Sequence, residues 1–221
     1  MASTLEIREP LQAITDRQDI TKFAEVIASA FLNDALNRYL YLEREARPDN
    51  PKVQQFEARV EHWKKIIQPR FDNGDLLLQS HDWAAVALLF PPGLAKPTST
   101  DTSLVHEGVS QYSDFFKTLS KEKLGDRLHW HVNIIARNPK RDDRGAISVI
   151  FQAVLKDAKS KNLPIWLEST NAHAREVYEH FEFKVVGEVR IGKGIVGSDG
   201  WVKEDGEGVL VWGMIAGLDG W

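Results

Sequence analysis

The sequence predicts a single α/β domain in which helices cover a mixed sheet. Three observations carry that expectation. From Trp130 onward, short β-rich runs alternate with segments whose apolar residues recur three and four apart, the pattern of a sheet layered with helices. Upstream, two apolar runs flank His81-Asp82 as the arms of a hairpin. The chain has 221 residues, 43% of them hydrophobic and 27% charged, which is ample for one core and short for two. Residues 1–221 are therefore read as one domain.

Leu5-Glu6-Ile7-Arg8-Glu9-Pro10 alternates at period two and reads as a first strand that proline ends. Ile20, Phe23, Ala24, Ile27, Ala30 and Phe31 form the apolar face of a helix, with Asp19 as its candidate N-cap. Pro51 to Ile67 reads as a second helix with Val53, Phe56, Val60, Trp63 and Ile67 inward. After the Asn73-Gly74 turn, Leu76 to Leu78 and Ala84 to Phe90 are the hairpin strands, and Pro91-Pro92-Gly93 stops the second. Leu94 to Ser103, rich in Pro, Ser and Thr, is expected to be a surface loop too short to link two domains.

The C-terminal half continues with a strand from Trp130 to Arg137. A helix follows whose stripe is Ile147, Ile150, Phe151, Val154, Leu155 and Ala158. Next come a strand from Ile165 to Glu168, a helix from Asn171 to Phe181 and a strand from Phe183 to Ile191. The Gly-rich stretch 192–208 is a loop, and Val209 to Ile215 is a closing strand. No internal repeat interrupts this order.

A formal net charge of -4 gives no electrostatic footprint for a nucleic-acid backbone, and no basic run suits an anionic membrane surface. Without cysteine there is neither a disulfide framework nor a thiolate zinc site. Met1 to Glu6 lacks the basic-then-apolar pattern of an export signal, so a cytoplasmic location is expected, with no nucleic-acid or membrane partner.

Particular words within this order resemble the GNAT superfamily of N-acetyltransferases over nearly the whole chain. His129-Trp130-His131-Val132-Asn133-Ile134 looks like that family's fourth strand, and Asn138-Pro139 with Arg144-Gly145 looks like its phosphate loop. Leu167-Glu168-Ser169, Asn171-Ala172 and Tyr178 to Phe183 look like its second motif. Ala87 to Gly93 and Gly208 to Trp212 are similar to a small-molecule subgroup.

The resemblance implies a mostly antiparallel sheet that splays between its fourth and fifth strands. It implies acetyl-CoA as cosubstrate, a small-molecule amine as acceptor, and a monomer or homodimer. Ile134, Ile135 and Ala136 on the fourth strand, Arg144, Gly145 and Ala146 at the helix start, and Asn171 are the coenzyme-binding residues it implies. Backbone N–H groups at a helix N-terminus suit a pyrophosphate because orphan donors and the helix dipole favour an anion there. Tyr178 matches the residue that protonates the leaving thiolate. The loop departs from the family word at two places. Asp142 stands where the family has Gln or Arg, and Ile147 stands where it has a second small residue.

His129 and His131, two apart on a strand, share one face, and either is a candidate base, as is Glu168 at the end of the next strand. A pair of strand histidines lacks a third ligand, and no metal is expected. Trp83, Trp130, Trp166 and Trp212 fall in predicted strands and read as packing, with Trp130 facing away from the histidines. The polar run Lys193 to Glu207 is either a substrate cover or a connection. Three functions remain open at this point: acyl-CoA-dependent N-acetyl transfer, a GNAT-fold enzyme that cyclises, isomerises or decarboxylates a metabolite without the coenzyme, and a noncatalytic ligand-binding domain.

Overall fold

A computed structural model describes residues 5–95 and 106–221. Seven strands form one sheet in the order β1-β2-β3-β4-β5-β7-β6: β1 (Leu11–Ala13), β2 (Leu76–Ser80), β3 (Ala85–Phe90), β4 (Trp130–Arg137), β5 (Ile165–Ser169), β6 (Lys184–Ile191) and β7 (Val209–Ala216). Every neighbouring pair is antiparallel except β4 and β5. That parallel pair is joined by α5 (Ala146–Lys161), because parallel neighbours need a crossover. Strands β3 to β7 and the helices that follow β4 and β5 lie close to where the sequence pattern puts them.

The remaining helices are α1 (Asp19–Ala30), α2 (Ala35–Leu42), α3 (Phe56–Asp72), α4 (Glu107–Leu124) and α6 (Ala172–His180). One face of the sheet packs against α5, through Trp130, Val132, Ile150, Phe151 and Val154. The other carries α1 at one end, through Phe23, Ile27, Val86 and Leu88, and α2 and α4 at the other, through Tyr39, Phe116, Trp166 and Val211.

Four early expectations need correction. The first strand is Leu11–Ala13, after Pro10 rather than before it, because the free edge of β2 offers partners only to those residues. Leu5 still packs in the α5 core but joins no ladder. Asp19 opens α1 without capping it. Pro51–Val53 is a separate 3-10 turn, and α3 begins at Phe56 and runs through Pro69 to Asp72. Trp83 sits with His81 and Asp82 in the left-handed turn between β2 and β3, not in a strand. Helices α2 and α4 went unforeseen, and the predicted loop 94–103 lies outside the described residues beyond Ala95.

Two features of the sheet position the site. β4 and β5 pair only over Trp130–Val132 and Ile165–Leu167, and beyond that they part. On the other edge of β4, consecutive Leu88 and Leu89 pair with Ile134 and Val132, which leaves Asn133 as the extra residue of a bulge. The bulge resets the alternation, so Trp130 and Val132 face α5 while Ile134 and Ala136 face α1. Farther along, α4 lies close against β6 and β7 because Gly187 and Gly213 have no side chains. A Cβ at either would stand 2.6 or 2.9 Å from Leu119.

Candidate active site

Where β4 leaves β5, a cleft of about 790 Å3 opens between α5, α6 and the end of α1. Ile135, Ala136 and Arg137 of β4 form its floor, and Asn171, Val177 and Tyr178 of α6 form one wall. Backbone groups on the parted edge of β4 have no neighbouring strand there and need another partner.

At its head lies the start of α5. Gly145 holds φ 80°, a left-handed conformation that costs a residue with a Cβ about 1–2 kcal/mol, and no side chain caps the helix. The first N–H groups of a helix lack intrahelical partners, and Ala146, Ile147 and Ser148, the residues that carry them here, all line the cleft. A Cβ added to Gly145 meets nothing within 4 Å. Room and donors are both present for a phosphate group.

The acidic and branched residues of this loop obstruct the cleft less than their order in the sequence suggests. Asp143, which borders the cleft, is held by Arg141 through Nε at 2.8 Å and Nη2 at 3.0 Å. That hydrogen bond keeps the Asp143 carboxyl below its usual range, and its charge is matched by the guanidinium. Asp142 is exposed and does not border the cleft. Ile147 does border it, but half-buried, packed against the α5 core.

Tyr178 is half-buried beside Phe151, with ring centroids 5.6 Å apart. Burial first, then the Asp34 and Glu168 carboxylates, raise its hydroxyl well above the usual range, so it keeps its proton. Asn171 caps α6, accepting from the Ala174 N–H at 2.8 Å, and also lines the cleft. Asp34 ties the two walls together: it caps α2 and accepts from Thr170 Oγ1 at 2.7 Å and from Asn171 Nδ2 at 3.3 Å.

A second, smaller pocket of about 350 Å3 lies across the sheet, against α3 and α4. His129, His131 and Glu168, the three candidate bases, all line it. Glu168 accepts from Trp166 Nε1 at 2.6 Å and from His131 Nε2 at 3.0 Å. A carboxylate on Nε2 places the proton there and leaves Nδ1 with the basic lone pair. His129 Nδ1 instead meets the Arg127 carbonyl oxygen at 2.8 Å. Phe90 packs edge-on to His131, with centroids 5.0 Å apart.

Of the expected coenzyme residues, Ile135, Ala136, Arg144, Gly145, Ala146 and Asn171 border the large cleft. Ile134 does not. The bulge turns its side chain into the α1 core, and only its backbone remains near. Trp166 is more than packing, since its N–H holds Glu168. Sequence reasoning missed Asp34, Arg70, Asp75 and Tyr112. Burial and the nearby Glu168 carboxylate raise the Tyr112 hydroxyl well above its usual range. Asp34 could have been found from its position before Ala35–Leu42, a cap signal. The others carry no local pattern.

The sheet order, the single parallel pair that parts, and an uncapped helix start at the cleft define the fold of the GNAT N-acetyltransferases. This chain has that fold. No protein-family model matches it. It is 23% identical over 189 residues to an uncharacterized N-acetyltransferase of Schizosaccharomyces pombe, covering 76% of this chain and 72% of that one. Among solved structures, a histone acetyltransferase HPA2 and related acetyltransferase from Corynebacterium glutamicum superposes with TM-score 0.57 at 16% identity, covering 97% and 96% of the two chains. A mosquito protein described as arylalkylamine N-acetyltransferase like 5b superposes with TM-score 0.58 at 10% identity, covering 93% and 97%.

Proposed function

We propose that this chain is an acyl-CoA-dependent N-acetyltransferase acting on a small-molecule amine. The observation that carries the reading is the parting of β4 from β5 with different chemistry on its two sides. An anion-directed helix start heads the cleft on one side, and a carboxylate-oriented histidine lines the pocket on the other.

In this reading the N–H groups of Ala146, Ile147 and Ser148 hold the pyrophosphate, with Arg144 adding charge at the mouth. Acetyl-CoA supplies an acetyl group activated as a thioester. The free edge of β4, at Ile134, Ile135 and Ala136, offers backbone donors along the cleft floor, and Asn171 a side-chain amide at its wall. His131, oriented by Glu168, accepts the proton that the acceptor nitrogen loses as its bond to the acetyl carbon forms. Tyr178 gives its own proton to the departing sulfur, which the raised hydroxyl retains for that purpose. His129, engaged by a backbone carbonyl, is the weaker of the two candidate bases.

Names of similar proteins support acetyl transfer to amines. A cleft that cyclises, isomerises or decarboxylates a metabolite without coenzyme is the second reading, and Asp143 and Ile147 at the cleft mouth favour it. Calorimetric titration with coenzyme A separates the two. Saturable binding, with acetyl transfer to at least one small amine, is the expected outcome. A folded protein that binds no coenzyme A, even as Ile147→Ala, overturns the acetyltransferase reading. No helix among the described residues is long and apolar enough to cross a membrane. A cytoplasmic protein, monomeric or dimeric, accords with the proposal.

A further inference from the structure

The smaller pocket is wrong for a simple amine. Three permanent cations, Arg70, Lys117 and Arg127, line it against two carboxylates, Asp75 and Glu168. Glu168 is already engaged by Trp166 and His131. Arg70 is the informative member. Its Nη1 is buried and has no hydrogen-bond partner, and Asp75 Oδ2 stands 3.8 Å away, beyond hydrogen-bond range. Asp75 therefore balances the charge as an ion-pair partner but leaves the N–H without an acceptor, and a buried donor left so points to an acceptor that arrives from outside.

We infer that the acceptor is an amino acid, whose carboxylate pairs with Arg70 while its amine faces His131. Phe90 bounds the spacing: the Arg70 guanidinium carbon lies 4.5 Å from the centroid of its ring and the His131 ring 5.0 Å from the same centroid, so the two stand no farther apart than the sum of those distances. A carboxylate and an amine on the same or adjacent carbons bridge two groups that flank one phenyl ring. The guanidinium's planar fork matches a carboxylate in two parallel hydrogen bonds. Phe116, Trp166 and Leu128 leave an apolar wall for the side chain, and at about 350 Å3 the pocket is at the small end for a metabolite. The fate of the amine rests on the acetyl-transfer reading. The binding of the carboxylate does not.

The test compares L-phenylalanine with phenylethylamine, which lacks only the carboxylate, as acceptors and as calorimetric titrants in the presence of coenzyme A. The intact protein is expected to favour phenylalanine by about 10-fold or more in kcat/KM and in Kd, the strength of a charge-assisted pair. Arg70→Gln should remove that preference, through KM rather than kcat. Because Asp75 is buried beside Arg70, Arg70→Lys serves as the folding control: it keeps the cation, loses the fork, and should cut the preference part-way at an unchanged melting temperature. No preference in the intact protein, or equal losses on both acceptors in a folded Arg70→Lys, overturns the inference. Coenzyme A binding reports separately on the acetyltransferase reading. Arg70-dependent phenylalanine binding without coenzyme binding would leave the pocket assignment standing and that reading fallen.

Discussion

The large cleft takes its floor and head from two continuous stretches of chain, whereas the small pocket across the sheet is assembled from side chains of five separate elements. The cleft's floor is the parted edge of β4 and its head is the start of α5, both consecutive stretches of chain. The pocket gathers Arg70 from α3, Phe90 from β3, Tyr112 from α4, His131 from β4 and Glu168 from β5. A backbone site tolerates change in side chains as long as the path of the chain survives, whereas a side-chain site can be rewritten one residue at a time. The two halves should therefore respond to mutation in different ways.

The largest expected effect is on the side-chain half. His131→Gln should lower kcat about 10³-fold at neutral pH, as removal of a general base does, while leaving the calorimetric affinity for coenzyme A within about twofold. The deficit should shrink as pH rises toward the acceptor's own pKa, because an amine that is already neutral needs no base. A loss of coenzyme affinity of the same size would erase the distinction between the halves.

Tyr178→Phe should lower kcat by about 10²-fold on the cleft side with the fold intact. Its pH signature is an absence. Burial with Asp34 and Glu168 nearby disfavours the phenolate, so activity should not fall through loss of the tyrosine proton up to about pH 10, the ordinary value for the side chain. An alkaline limb below that pH, missing in Tyr178→Phe, would show that the hydroxyl titrates normally.

Gly145→Val tests the backbone itself. The left-handed φ should cost about 1–2 kcal/mol of stability by denaturant titration, and coenzyme A affinity should fall about tenfold as the helix start shifts. The smallest expected effect is at Arg141. Arg141→Ala frees the Asp143 carboxylate to face an incoming phosphate, and affinity should drop about two- to fivefold, less at high salt.

Legibility in the sequence followed the same division. Strands β2 to β7, helices α5 and α6 and the splay could be read because apolar periodicity and short motif words are local properties of the chain. The first strand could not be placed, because Leu5 to Pro10 alternates as well as any strand and only the free edge of β2 selects Leu11–Ala13 instead. Helix α4 was invisible for another reason. Its buried residues Phe116, Leu119 and Leu124 are sparse, and what seats them is the absence of side chains at Gly187 and Gly213, far along the chain. In the site, Gly145 and Asn171 could be found because each falls in a short word that resembles a GNAT motif. Arg70 and Asp75 could not, since nothing near Pro69 or Gly74 announces a pocket formed with β3, β4 and β5.

The bulge at Asn133 has a consequence for how such a protein diverges. One extra residue in β4 separates the stretch that carries His131 from the stretch that carries Ile135 and Ala136, and each has its own partners across β3. Substitutions upstream can reshape the smaller pocket without changing the downstream backbone that lines the larger cleft. The side chains of one site can then be changed one at a time while the chain path that builds the other stays fixed.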